Sequence, residues 1–179
     1  MSDARLVRIS RFMSLILRHK PEQFGVVLDP EGYAPVDEVV RAVRESMPDV
    51  GADDLRRVVD HVEPDKSRFS IVGADIRANY GHSLQERIVQ LRVVPPEVLL
   101  HGTSESVVAD IRRDGIRPMR RQYVHLTTKR DLAARVGGRH GKATVLEIDA
   151  LRASAAGLAF YRANESFWLA DSIPAEFIR

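Results

Sequence analysis

Five short segments gather the side chains able to bind or move charge. Leu17-Arg18-His19-Lys20 places three cation-capable groups at the end of a helical pattern. There they either offset the helix dipole, at a few tenths of a kcal/mol each, or meet a ligand; taken alone, the quartet reads first as capping. Ile76 to Ser83 sets Arg77, Asn79, His82 and Ser83 around Gly81, a donor-rich stretch that suits a phosphate or a base and equally an ordinary surface loop. Leu100-His101-Gly102-Thr103 and Arg121-Gln122-Tyr123-Val124-His125-Leu126-Thr127 each hold a histidine among apolar residues and near a hydroxyl. One such histidine is more often a hydrogen-bonded core residue than a catalyst. Two of them, each followed by Thr, favour a site. Val136-Gly137-Gly138-Arg139-His140-Gly141-Lys142 permits close backbone approach at three glycines and adds three cationic or ionisable groups. That composition fits a pyrophosphate as well as it fits a flexible loop.

The charge distribution sharpens the second half of this picture. The 179 residues carry a formal net charge of only +2, but ten basic residues between Arg112 and Lys142 face just Asp114 and Asp131. The segment is either a solvated helix face or a phosphate-binding surface, and charge alone does not choose. Several common chemistries are excluded. No cysteine is present, which removes disulfides, thiolate catalysis and cysteine-ligated metals. No phosphate loop, Gly-x-Gly-x-x-Gly turn or His-Glu-x-x-His pair occurs. No apolar run is long enough to span a bilayer, and Arg8, Arg11 and Arg18 interrupt the first helical pattern, unlike a secretory signal. The expectation is a soluble, cytoplasmic protein.

The elements that must position these residues fall into two groups. Leu6, Ile9, Phe12, Met13, Leu15, Ile16 and Leu17 follow helical spacing, which Pro21 prevents from continuing beyond Lys20. A second helix is expected to open at Asp37 with Val39, Val40 and Val43 inward. A third opens at Ala52-Asp53-Asp54, with Leu55, Val58, Val59 and Val62 as its stripe. Phe69–Val72 and Ile76–Tyr80 flank Gly73-Ala74-Asp75 as a hairpin. Helices followed by a hairpin predict a winged-helix-like lobe over 1–92. Val93-Val94-Pro95-Pro96-Glu97 is a stiff connector, and 97–179 reads as a sheet-centred α+β lobe. Its expected strands are Val98–His101, Tyr123–Thr127, Ala143–Ile148, Gly157–Tyr161 and Phe167–Leu169. Ser104–Arg113 and Lys129–Val136 are expected to be helical.

Ser10-Arg11-Phe12-Met13-Ser14-Leu15-Ile16-Leu17-Arg18-His19-Lys20-Pro21, Ser67-Arg68-Phe69, the Ile76–Ser83 stretch, Leu100–Thr103, Arg121–Thr127 and Gly138-Arg139-His140-Gly141 together resemble the RNA 2′-phosphotransferase family over nearly the whole chain. The resemblance implies an N-terminal winged-helix RNA lobe and a C-terminal lobe of the ADP-ribosyltransferase fold. It implies a catalytic set that lands on Arg18, His19, Arg68 and Arg121. It places His101, Gly102, Thr103, His125, Gly138, Arg139, His140 and Gly141 on the side of NAD, with His101 and Thr103 as ribose contacts. Arg77, Asn79 and His82 go to the RNA. Planar arginine donors suit a phosphomonoester carrying about −1.5 to −2 charges.

The implied reaction moves an internal RNA 2′-phosphate to NAD, consumed as co-substrate, through an RNA-2′-phospho-ADP-ribose intermediate. It leaves 2′-hydroxyl RNA, ADP-ribose 1″,2″-cyclic phosphate and nicotinamide, as in tRNA splicing, and needs no metal. No membrane or obligate protein partner is implied. Two positions depart from the family pattern: Tyr80 stands where Gln is usual, and Asn164-Glu165-Ser166-Phe167-Trp168 replaces a shorter Asn-Gly-Val-Trp ending. The competing readings are an ADP-ribosyltransferase that stops after the first step, on a phosphorylated nucleic-acid end, and a catalytically silent winged-helix binder.

Overall fold

A computed structural model describes residues 3–61 and 67–179, so Val62 of the expected third stripe lies outside the described residues. The chain forms two compact units, Met1–Val89 and Gln90–Arg179. The expected boundary lay slightly later, at Val93–Glu97. Residues 90–93 join the second unit because Val93 N–H donates to the Phe160 carbonyl at 2.9 Å and Arg92 bridges Tyr161. The architecture is α+β with two antiparallel sheets.

In the first unit, helix α1 (Asp3–Arg18) buries Leu6, Ile9, Met13, Ile16 and Leu17, a single stripe of the kind its periodicity predicts. Phe12 and Leu15, read as part of that stripe, are only half-buried. Helix α2 (Val36–Arg44) starts one residue before Asp37, because Pro35 at the cap position already has the extended backbone that precedes a helix. Asp37 and Glu38 then occupy the first turn, where the helix dipole favours negative charge. Helix α3 (Ala52–Asp60) is closed at its start by the Asp54 carboxylate, which accepts from the Gly51 amide at 3.0 Å.

Strands β2 (Phe69–Val72) and β3 (Asp75–Ala78) form the expected hairpin, turning at Gly73 with φ +61°. A third strand, β1 (Tyr33–Pro35), pairs with the other side of β3. It was not anticipated: three residues ending in proline show no alternation. The Asp29 carboxylate sets its start by accepting from the amides of Glu31 and Tyr33 at 2.9 and 2.8 Å. The core of the unit joins the α1 stripe to Val39, Val43, Leu55, Phe69 and Ile76.

The second unit is built on one sheet of five strands, ordered β6-β4-β5-β8-β7. These are β4 (Val98–Ser104), β5 (Val124–Thr127), β6 (Ala143–Asp149), β7 (Phe160–Arg162) and β8 (Phe167–Ala170). Helices α4 (Val108–Asp114) and α5 (Arg130–Gly137) fall where the pattern placed them, with a turn of 3-10 helix, Glu105–Val107, leading into α4. A further helix, α6 (Ala150–Ala155), follows β6 without a loop. Its six residues carry too little periodicity to be read from sequence.

Alternation along β4 sends Leu99, His101 and Thr103 to one face and Leu100 and Gly102 to the other, against α5. Leu99, Leu126, Ile148, Phe160, Trp168 and Phe177 anchor the core. Among the described residues no helix is long and apolar enough to cross a membrane.

Candidate active site

Main-chain bonds close the end of α1. His19 and Lys20 amides both return to the Leu15 carbonyl, and the Ser83 amide donates to the Arg18 carbonyl at 3.0 Å. Arg18 is buried, and its Nη2 donates to the Arg68 carbonyl at 3.3 Å. Its guanidinium carbon lies 4.9 Å from the centre of the Tyr80 ring and 5.5 Å from that of Phe69, so two aromatic faces and one carbonyl fix its plane. His19 Nδ1 lies 2.7 Å from the Ser83 hydroxyl. That contact orients the ring toward the segment after β3 and not back over its own helix.

Asn79 supports the opposite side of this cluster. Its amide donates to the Arg68 carbonyl at 2.9 Å, its Nδ2 to the Ser67 carbonyl at 3.2 Å, and its Oδ1 accepts from the Ser70 hydroxyl at 2.8 Å. Arg68 is therefore held by its main chain from two directions. Its half-exposed side chain makes no hydrogen bond or ion pair among the described residues. The first unit thus brings Arg18, His19 and Arg68 to one locality.

The three residues assigned to RNA are placed differently. Asn79 and His82 are buried, and His82 Nε2 would come within 3.6 Å of a Cβ added at Gly32. In this arrangement both shape the loop. Arg77 lies across the β-sheet row Tyr33–Arg77–Ser70, its guanidinium carbon 4.8 Å from the centre of the Tyr33 ring.

In the second unit, His101 Nδ1 is 3.0 Å from the His125 carbonyl. A carbonyl only accepts, so Nδ1 carries the proton and neutral His101 presents Nε2 as an acceptor. Burial lowers the His101 pKa, opposed by the bond to the His125 carbonyl, so the neutral form is the resident one. An imidazole in that state can receive a hydroxyl proton from a sugar.

Packing holds Gly102 and Gly137 to glycine. A Cβ at Gly102 would stand 1.7 Å from the Ala133 carbonyl oxygen, and one at Gly137 would stand 2.5 Å from the Thr103 carbonyl oxygen. Both allow α5 to lie directly on the backbone of β4. Gly138–His140 forms a 3-10 turn after α5, and of the His140 side chain nothing is described. Gly141 then takes φ +134°, a conformation that disfavours any side chain.

Arg121 lies on the Met119–Tyr123 turn, where its amide donates to the Pro118 carbonyl at 2.7 Å. Surrounding protein and then the positive charge of Arg139 lower its pKa. The contribution of Arg139 means that two cations lie near one another, an arrangement that an anion relieves. Among the described residues no group of three or more His, Asp or Glu is arranged for a metal.

The partners that orient these groups were the part missed in sequence: Tyr80 and Phe69 under Arg18, and Ser83 beside His19. Ser83 and Tyr80 lie inside a stretch singled out for its donors, but only the folded hairpin turns them toward α1.

The model of the "RNA 2′-phosphotransferase, Tpt1 / KptA family" matches residues 4–172. The chain belongs to the RNA 2′-phosphotransferase family. Its relatives include a probable RNA 2′-phosphotransferase of Agrobacterium fabrum, 42% identical over 171 residues and covering 94% of this chain and 91% of the relative. Proteins of the same description in Acaryochloris marina and Nostoc punctiforme are 39% and 38% identical, over 98% and 100% of this chain and 97% and 99% of theirs. Within the family pattern, the Asn164 ending that departs from the usual form keeps a clear local purpose. Asn164 Oδ1 accepts from the amides of Ser166 and Phe167 at 2.8 and 2.7 Å, forming the turn that starts β8.

Proposed function

We propose that this member of the family is an NAD-dependent RNA 2′-phosphotransferase that frees RNA of an internal 2′-phosphate, with Arg18, His19, Arg68 and Arg121 as its catalytic set. In this reading the first unit is a winged-helix-like RNA lobe, supported by three helices followed by a hairpin. The second is an ADP-ribosyltransferase-like NAD lobe, supported by its five-stranded antiparallel sheet. The observation that carries the proposal is the Arg18–His19–Arg68 locality: one guanidinium held in plane, a second without a partner among the described residues, and an imidazole oriented by a hydroxyl. A dianionic phosphate matches that set in charge and geometry.

The chemistry runs in two displacements. A 2′-phosphate oxygen attacks C1″ of the nicotinamide riboside of NAD; the C–N bond breaks and nicotinamide leaves, giving RNA-2′-phospho-ADP-ribose. The neighbouring 2″-hydroxyl then attacks phosphorus, losing its proton, and the RNA 2′-oxygen leaves and is protonated. The products are 2′-hydroxyl RNA and ADP-ribose 1″,2″-cyclic phosphate. The arginines lower the cost of bringing a dianion to the reacting carbon and stabilise charge at phosphorus. His19 is assigned to the proton transfers of the second step, and its orientation by Ser83 supports that reading. His101, with Nε2 as acceptor, and Thr103 are assigned to the ribose hydroxyls, and the Gly138–Gly141 turn with Arg139 and His125 to the rest of NAD.

The test is incubation with NAD and a short RNA bearing one internal 2′-phosphate, with both products identified by mass spectrometry. ADP-ribose 1″,2″-cyclic phosphate together with 2′-hydroxyl RNA is expected. RNA that keeps ADP-ribose indicates an enzyme that stops after the first step, and no consumption of NAD overturns the proposal.

A further inference from the structure

Arg8, Arg11, Phe12 and Leu15 recur on α1 at intervals that keep them on one helix face. With Ser46 and Met47, which follow α2, they line a groove of about 390 Å³. Its floor is apolar: Met47 is buried, Phe12 and Leu15 are half-buried, and the Phe12 ring is held edge-on to Phe24 with centroids 5.2 Å apart. Its rim is cationic. Arg8 and Arg11 are exposed and make no hydrogen bond or ion pair among the described residues. Asp49, whose charge Arg8 feels, is already engaged by Arg5. The same helix face ends at Arg18 and His19, seven and eight residues beyond Arg11, or about 10–12 Å along the helix axis.

We propose that this groove is a subsite for the single-stranded RNA that flanks the phosphorylated nucleotide. Arg8 and Arg11 neutralise backbone phosphodiesters, and Phe12, Leu15 and Met47 receive an unstacked base. The proposal rests on the RNA reading above for what lies at Arg18. The combination selects the ligand: a nucleotide joins a flat apolar ring to an anion a few ångströms away, whereas an acidic peptide leaves the apolar floor bare. Base stacking on such a floor is tolerant of sequence, so the subsite adds affinity and reach without reading a particular base.

The test measures binding directly, so it does not depend on turnover. A labelled single-stranded RNA lacking the 2′-phosphate is titrated by fluorescence anisotropy across a salt series, with the wild-type protein and an Arg8→Ala/Arg11→Ala double variant. Each neutralised phosphate of a single strand contributes about 0.7 to the slope of log affinity against log salt. The double variant is therefore expected to bind more weakly and to flatten the slope by about 1.4. Between 50 and 200 mM salt the wild-type protein then loses about 7-fold more affinity than the variant. Arg8→Lys/Arg11→Lys restores most of the slope, because lysine keeps the charge.

With a 2′-phosphorylated RNA long enough to reach the groove, the alanine variant raises KM at nearly constant kcat; a minimal 2′-phosphorylated dinucleotide shows no change. An unaltered slope with equal KM on both RNAs overturns the subsite. So does Arg8- and Arg11-dependent binding of poly-glutamate that matches RNA binding at each salt concentration. If neither RNA is turned over by the wild-type protein, the catalytic reading fails while the anisotropy result still decides the groove.

Discussion

Replacing Gly102 by alanine tests whether the glycine serves packing or ligand. The added Cβ meets the Ala133 carbonyl oxygen at 1.7 Å, the carbonyl carbon at 2.5 Å and Cα at 3.0 Å, against the 3.4 Å at which ordinary contact begins. All three are backbone atoms of α5, so no side-chain rotation relieves them. The helix and β4 must part by roughly 1.7 Å, and a radial gap of even 0.5–1 Å forfeits about a quarter to a half of each dispersion contact it opens. Leu132 and Ala133 on α5 and Leu100 on β4 are buried near this contact and stand to lose theirs. Overpacking costs about 1–3 kcal/mol, and a rigid backbone obstacle puts Gly102→Ala at the upper end, about 3 kcal/mol. For a unit of this size that is a fall in Tm of roughly 12–24 °C.

Trp168, the single tryptophan, is buried on β8 two strands away from β4, so its fluorescence follows the melting of this sheet. Gly138→Ala is the matched control, since its Cβ would meet only the Ala143 Cβ at 3.8 Å; a change within about 0.5 kcal/mol is expected. A Gly102→Ala protein that melts within a few degrees of wild type and fails only to use NAD would refute the packing argument and return the glycine to the ligand.

Arg68→Ala should slow transfer by about 100-fold or more with little change in thermal stability, because its side chain makes no hydrogen bond or ion pair among the described residues; a normal rate in a folded protein removes it from the site. His19→Ala should accumulate RNA-2′-phospho-ADP-ribose in a quenched time course, whereas equal slowing of both steps assigns the imidazole to phosphate binding alone. His101 titrates below its ordinary 6.5 in the folded state, so the unfolded chain takes up its proton first as pH falls. Stability from this group is complete above about pH 6.5 and is lost as pH drops toward the folded pKa. Urea titrations at pH 7.5 and 5.5 should show that part of the acid loss vanish in His101→Gln; an identical loss in both proteins sinks the account.

Much of the fold was legible because long periodic segments carry their own signal. The α1 stripe and its stop at Pro21, the Gly73 hairpin, and the alternation of Ala143–Ile148 are local properties. What escaped was short or depended on distant partners. β1 exists because β3 offers it an edge, and α6 is a six-residue helix started by the Asp149 carboxylate, which accepts from the Arg152 amide. At the candidate site, the set Arg18, His19, Arg68 and Arg121 came from the family resemblance, and the supports around it were not legible. Tyr80 beneath Arg18 and the Asn79 bonds around Arg68 arise only once the hairpin folds back toward α1. The glycines at 102 and 137 were read for closeness of approach, and the structure shows one body that approaches them, the backbone packing of β4 against α5.

The bond from Arg18 to position 68 runs to a main-chain carbonyl. Any residue at 68 supplies that acceptor, so truncating the Arg68 side chain leaves the Arg18 anchor in place. The anchor of Arg18 therefore does not depend on the Arg68 side chain, and in the proposed reaction a shared phosphate is what couples the two guanidiniums. A double-mutant cycle on Arg18 and Arg68 should accordingly give near-additive stabilities and strongly non-additive transfer rates. The interaction energy in the second measurement then belongs to the phosphate itself, which makes the pair a gauge of how firmly the substrate is held at each stage of the reaction.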